Sequence, residues 1–297
     1  MATLLTGASG FVGAFVQRRI NCIPFDRLGK PIDLRDADDV RMAMGEIKPD
    51  AVIHLAAQSF VPASFENPAE TYEINFQGTL NLLAALKETG FRGRMLFIGS
   101  GDTYGLVPES QLPVTEDQPL RPRSPYAVSK VAAEALCYQW SQTESFTITM
   151  TRSFNHLGPG QSDRFAVSDF ARQIVEIKNG RREPILSVGD IDVTRDFTDV
   201  RDATAAYVLL LDRGRNGEAY NVCSGNDHSL RSVVECLLQL ASVDARIVQD
   251  PTRLRASEQR RMRGSYAKLR ADTGWEPTIG LEQSLGDILR NWEERLS

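Results

Sequence analysis

Histidine and cysteine are scarce in this chain, three and four among 297 residues, and their spacing excludes more than their number does. His54, His156 and His228 show no H-E-x-x-H or similar ligand spacing, and Cys22, Cys137, Cys223 and Cys236 form no C-x-x-C pair. No metal is expected, and the cysteines read as buried free thiols. There is no surplus of positive charge either: 34 Lys and Arg stand against 39 Asp and Glu, a formal net charge of -5. Such a chain has no general pull toward nucleic acid or an anionic membrane, so neither is expected as a partner. A polyanionic ligand would have to be held by individually placed cations. No apolar run approaches the ~20 residues of a membrane-spanning helix. Met1–Leu5 goes straight into a strand-like run and lacks the charged start and cleavage site of a signal peptide. The expected location is the cytoplasm.

What is present is enough apolar material, 42% of residues, for a sizeable core. In the first half, short apolar runs alternate with longer helical patterns. The strands are Thr3–Thr6, Cys22–Asp26, Ala51–Leu55, Arg94–Ile98 and Thr147–Thr151. The helices are Phe11–Ile20, one capped by Asp36 and running toward Ile47, Ala69–Glu88, and about Ser124–Gln142. That alternation predicts an α/β fold, a Rossmann-type doubly wound parallel sheet. The Pro-rich stretch Pro108–Pro125 reads as a loop over the carboxyl ends of the strands, where such sheets keep their ligands. Beyond Asn155 the pattern loosens. Strands at Ile185–Val188, Ala219–Cys223 and Arg246–Val248 mix with helices at Ala166–Lys178, Val200–Asp212, Leu230–Leu240 and Leu281–Leu296. The division expected is a dinucleotide-binding domain over 1–154 with parts of 190–225, and a smaller C-terminal α/β substrate lobe over 155–189 and 226–297.

Two motifs carry chemistry. Gly7-Ala8-Ser9-Gly10-Phe11-Val12-Gly13 lies between the first strand and the first helix. Glycines there permit a tight turn and close approach of a pyrophosphate to a positive helix N-terminus. The other is Tyr126-Ala127-Val128-Ser129-Lys130. Residues four apart share a helix face, so phenol and ammonium can point the same way. A nearby cation lowers a phenol pKa normally ~10, which makes Tyr126 a proton donor or acceptor beside a carbinol or ketone. Taken singly, the first could be a plain glycine-rich turn and the second an exposed helix face.

Together with Ser100 they resemble the extended short-chain dehydrogenase/reductases, over nearly the whole chain. In that family a Ser or Thr ahead of the tyrosine helix polarises the substrate oxygen, and Gly99-Ser100-Gly101-Asp102-Thr103-Tyr104-Gly105 places Ser100 there. The second half is similar to a narrower GDP-sugar branch, through Arg152–Gln161 (RSFNHLGPGQ), Arg195–Val200 (RDFTDV), Tyr220–Gly225 (YNVCSG) and Leu254–Glu258 (LRASE). The resemblance implies that the chain reduces the C4 ketone of GDP-4-dehydro-6-deoxy-D-mannose to GDP-D-rhamnose. Tyr126, Ser100 and Lys130 would be catalytic. Ser100, Gly101, Asp102, Asn155 and Gln161 would meet the substrate, with Arg195 and Arg255 on its pyrophosphate and Glu258 on ribose or guanine. For Arg195 an ion pair with Asp196 or Asp199 is the competing role. Ala256 stands where the branch usually has proline.

The alternatives inside the family are a GDP-mannose 4,6-dehydratase and a nucleotide-sugar epimerase; a non-catalytic NADP sensor would have lost the tyrosine or lysine. Dehydratases have glutamate where Asp102 stands, and a long basic insertion where this chain has only Arg27–Asp33. A homodimer with an exchangeable cofactor is therefore expected. Cofactor contacts are expected from Gly7, Gly10, Phe11, Val12, Gly13, Arg27, Asp33, Leu34, Leu55, Ala56, Ala57, Tyr126 and Lys130, with Asp33 and Leu34 flanking the adenine. Asp26 followed by Arg27 carries both ribose signals, and the resemblance favours NADPH through Arg27, with NADH also used.

Overall fold

The computed structural model describes residues 2–27, 30–253 and 259–297. The first half runs β1 (Thr3–Thr6), α1 (Phe11–Arg19), β2 (Cys22–Pro24), two short arms β3 (Asp26–Arg27) and β4 (Lys30–Pro31), α2 (Ala37–Ile47), β5 (Ala51–His54), α3 (Val61–Glu66), α4 (Pro68–Tyr72), α5 (Gly78–Glu88), β6 (Arg94–Ser100), α6 (Pro125–Thr143) and β7 (Thr147–Ser153). The second half adds β8 (Asn155–Leu157), α7 (Ala166–Lys178), β9 (Ile185–Val188), β10 (Thr194–Asp199), α8 (Val200–Arg213), β11 (Ala219–Val222), β12 (Asp227–Ser229), α9 (Leu230–Ala241), β13 (Arg246–Gln249), α10 (Ala267–Thr273) and α11 (Leu281–Leu296).

Six strands form one parallel sheet in the order β11-β7-β6-β5-β1-β2. Every residue of β1 and β5 is buried, as a parallel sheet covered on both faces requires. One face packs Val40, Met44, Leu82, Leu83 and Ala133 from α2, α5 and α6. The other packs Val16, Ala206, Tyr207, Leu210 and Leu269 from α1, α8 and α10. A separate core joins α7, α9 and α11 around β9 and β13. The chain leaves β1 toward β2 and returns to β5 on the other side of β1. That reversal opens a crevice at the carboxyl ends of β1 and β5, where open α/β sheets bind ligands.

Most expected elements stand within a residue or two of their places, and Asp36 caps α2 by accepting from the amides of Asp38 and Asp39. One does not. The single helix expected over Ala69–Glu88 is broken by a π-type turn at Glu73–Gln77 between α4 and α5. The extra residue in that turn brings Asn75 into buried hydrogen bonds with Gln58 and Ser129. A small sheet ordered β12-β10-β8 was not expected at all. The Pro108–Pro125 stretch is a loop with one short 3-10 turn. Arg152 Nη1 donates to Glu116 O at 2.7 Å and Asn221 Nδ2 to Val114 O at 3.0 Å, which hold it over the ends of β7 and β11. Among the described residues no helix is long and apolar enough to cross a membrane.

Candidate active site

The glycine turn is built around backbone approach. Gly7 adopts φ +70, and a Cβ there would stand 2.8 Å from Ala56 N. A Cβ at Gly13 would stand 2.3 Å from Gly7 O, so neither position tolerates a side chain. Gly10 caps α1 without a side-chain bond, and the first turn, with Phe11 and Val12, has no acidic residue. Its free amides and the helix dipole are therefore left for an anion. A cavity of about 210 Å³ beside the turn is lined by Gly7, Ala8, Gln17, Phe25 and Asp26. These features fit the pyrophosphate and adenosine ribose of a dinucleotide. Leu55, Ala56 and Ala57 follow β5 directly against this turn, and Ala56 N–H donates to Thr6 Oγ1 at 3.1 Å. Arg27 ends β3, next to Asp26 of the cavity lining. Asp33 is bonded to Arg35, which lowers its pKa. Leu34 is buried in the core, so what it offers an adenine is backbone.

Ser100 ends β6, and Tyr126 and Lys130 lie one turn apart at the start of α6, whose cap Ser124 accepts from Ala127 N at 3.1 Å. Burial raises the Tyr126 phenol well above its usual value, the Asp102 carboxylate raises it further, and the Ser100 hydroxyl opposes both. Gly101 is buried against the Phe154 ring, and Asp102 N–H donates to Ser100 Oγ at 3.2 Å. Lys130 donates to Ile98 O at 2.9 Å and sits 5.0 Å from the centre of the Phe97 ring. Burial lowers its pKa to about 8. The sequence suggests that Lys130 sets the acidity of Tyr126. In the structure the ammonium is turned to the β6 backbone, and burial and Asp102 dominate the phenol instead.

A buried chain of hydrogen bonds, not foreseen, joins the glycine turn to that helix. Thr6 donates to His54 Nδ1 (2.7 Å), His54 Nε2–H to Thr79 (3.0 Å), and Thr79 to Asn75 O (2.7 Å). Asn75 Nδ2 then donates to Ser129 Oγ (2.9 Å) and Ser129 to Tyr126 O (2.7 Å). The Thr79 hydroxyl proton is used on Asn75, so His54 carries its proton on Nε2. Burial and the charge of Lys130 hold the His54 pKa at about 3. The signal for Asn75 is its place between Thr71 and Thr79, a polar stripe at four-residue spacing on the buried side of Ala69–Glu88.

Substrate candidates from the second half divide. Asn155 is exposed on β8. Gln161 is buried and committed to His156 O at 2.9 Å, so it pins β8 to the start of α7. Arg195 donates to Thr194 O and Gln259 O at 2.9 and 2.8 Å. Its competing acids are engaged elsewhere. Asp196 accepts from Ser224, Gly225 and Gly264, and Asp199 pairs with Arg201. Arg255 and Glu258 lie outside the described residues.

A family model described as GDP-mannose 4,6 dehydratase matches residues 30–288. The chain belongs to the GDP-mannose 4,6 dehydratase family. It is 50% identical to the GDP-6-deoxy-D-mannose reductase of Pseudomonas aeruginosa, over 98% of this chain and 97% of that one. It is 30% identical to a Mycobacterium tuberculosis dTDP-glucose 4,6-dehydratase, over 82% of this chain and 78% of the other. Among solved structures, RMD from Pseudomonas aeruginosa complexed with NADPH superposes with TM-score 0.92 and 47% identity, covering 99% of this chain and 100% of that one. The Thermus thermophilus UDP-glucose 4-epimerase complex with NAD gives 0.86 and 30%, covering 98% and 99%. Membership of this family places the chain among the short-chain dehydrogenase/reductases of nucleotide sugars, and the parallel sheet with its crevice is the fold they share.

Proposed function

We propose that this chain is an NADPH-dependent oxidoreductase that reduces the C4 ketone of GDP-4-dehydro-6-deoxy-D-mannose to give GDP-D-rhamnose. The carrying observation is the likeness to a reductase of that sugar, 50% identity over nearly both full lengths. Likeness to a structure complexed with NADPH supports the cofactor, and the side-chain-free glycine turn with its uncapped helix fits it. NADPH supplies the hydride when bound. Tyr126 gives its proton to the oxygen developing at C4, Ser100 hydrogen-bonds the same oxygen, and the positive charge of Lys130 offsets the phenolate left behind. Arg195 and Arg255 take the GDP pyrophosphate, with Glu258 on the nucleoside and Asn155 on sugar or phosphate oxygens.

Dehydration would also require a base at C5. The acid beside Tyr126 is Asp102, one methylene shorter than the glutamate of dehydratases, which favours reduction. The test is NADPH oxidation with the 4-keto sugar generated in place and with GDP-mannose alone in parallel. Oxidation with the keto sugar only is expected, and Arg27→Ala should weaken NADPH more than NADH. Loss of water from GDP-mannose without oxidation would replace the reductase with the dehydratase. We further propose that residues 1–154 with parts of 190–225 hold the cofactor, that 155–189 and 226–297 hold the nucleotide sugar, and that the chain works as a homodimer in the cytoplasm.

A further inference from the structure

Phe60 and Phe165 come from loops far apart in sequence and meet edge to face, with ring centroids 6.2 Å apart and planes at 78°. Phe60 sits just before α3, in the loop that leaves the carboxyl end of β5, and Phe165 just before α7. The pair thus spans the crevice from the first half of the chain to the second. Neither ring belongs to any of the apolar cores, and Phe165 is 37% exposed. Two phenyl rings kept out of every core and against each other, Phe60 half-buried and Phe165 exposed, make a small apolar surface among the described residues.

The position of Phe60 is fixed from the catalytic helix. Its N–H donates to Gln58 Oε1 at 2.6 Å, and Gln58 N–H donates to Asn75 Oδ1 at 2.8 Å. Asn75 is the residue bonded to Ser129, whose hydroxyl holds Tyr126 O. One chain of bonds therefore positions both the proton donor and this ring. Phe165 closes a turn with Ser162 O at 3.1 Å, four residues beyond the pinned Gln161.

We propose that Phe60 and Phe165 determine specificity at C6 of the sugar, forming an apolar wall against the methyl group of a 6-deoxy ring. This rests on the reading of the substrate as a GDP-linked 4-keto-6-deoxy sugar. C6 is attached to C5, the neighbour of the carbon whose oxygen would meet Tyr126, and the chain of bonds that holds the Tyr126 turn also holds Phe60. A hydroxyl at C6 would be stripped of water against rings that offer it no hydrogen bond.

GDP-D-rhamnose and GDP-D-mannose differ only in the C6 oxygen, which makes them the probe pair, with GDP as control. Their affinities for the NADP⁺-loaded protein would be measured by calorimetry. The wild type should favour GDP-D-rhamnose by about 10-fold or more. Phe60→Ser and Phe165→Ser should each shrink that ratio several-fold while GDP affinity stays within about twofold, and Phe165→Leu should keep it. Equal wild-type affinities, a ratio unchanged in both serine variants, or a parallel loss of GDP binding would each overturn the proposal. If a serine variant fails to bind NADPH, the leucine variant and the wild-type ratio still decide. Binding is read without turnover, so selectivity in a protein that oxidises no NADPH would sink the reductase and leave this inference standing.

Discussion

In the proposed mechanism Tyr126 protonates a developing alkoxide, so it has to hold its proton until the ketone is reduced, and its surroundings favour that. Burial and Asp102 raise its pKa, so it is protonated at any working pH. Tyr126→Phe keeps the ring and loses the proton, and the rate of reduction should fall by about 100-fold or more with NADPH affinity nearly unchanged. Single-turnover rates beside a fluorescence titration of NADPH would check this, and near-wild-type turnover would remove Tyr126 from the chemistry. In the same mechanism Lys130 would set the pH range. Its folded pKa is lowered to about 8 by burial. Below that value it is charged and would offset the phenolate, and as pH rises through it the charge is lost. The profile of kcat/KM, which reports the free enzyme, should be flat on the acid side of about 8 and decline above it. Tyr126 should contribute no limb in that range, and a profile level to well above pH 8 would exclude Lys130 from the step.

Between elements, a buried chain of hydrogen bonds runs from β1 through β5 and the π-type turn to α6, and its one titratable side chain is His54. The sign follows from its depressed folded pKa of about 3 against 6.5 when unfolded. The stability it confers is complete above pH 6.5 and is lost as pH falls toward about 3, because the unfolded chain takes a proton that the folded one refuses. One such group gives a slope of about 1.4 kcal/mol per pH unit. Denaturant unfolding at several pH values below 6.5 should show it, and His54→Gln should lower stability at neutral pH while reducing the acid slope by about one proton. An unchanged slope would mean that His54 is protonated in the fold. These elements were unequally legible in the sequence. Period, capping and glycine position located the strands of the large sheet, Asp36 as a cap, and the start of α6 near Ser124, because each is a local rule acting over a few residues. The π-type turn escaped because one extra residue barely disturbs a helical period. The sheet of β8, β10 and β12 escaped because its strands span three to six residues and carry polar side chains such as Asn155, Arg195 and Asp196. Gln161, expected to meet the substrate, also donates to the His156 carbonyl, a contact that depends on which tertiary neighbour is near.

At the scale of the whole molecule, four of the exposed large apolar side chains, the two most exposed among them, stand on helices of the first half that pack together. Phe65 is 62% exposed on α3, Tyr138 is 54% exposed on α6, and Tyr72 and Val128 stand out from α4 and α6. Helices α3 and α4 both lie against α6, so these residues share one flank. Apolar patches of that kind mark association surfaces, and a two-fold contact would bring the same flank of a second copy against it. The inner face of α6 carries Tyr126 and Lys130 buried beside the crevice, so a partner gripping the outer face would stiffen the helix that does the chemistry. The double variant Phe65→Glu, Tyr138→Glu should convert a dimer to a monomer in light scattering after size exclusion, since facing carboxylates would repel and lose hydration together. NADPH binding should survive, because the glycine turn is carried by β1 and α1, which the two substitutions do not touch, while kcat falls more than KM rises. A wild type already monomeric at micromolar concentration would refute the dimer. A monomeric variant with wild-type kcat would show that α6 holds Tyr126 in place without help, through Ser124, Ser129 and Asn75 alone.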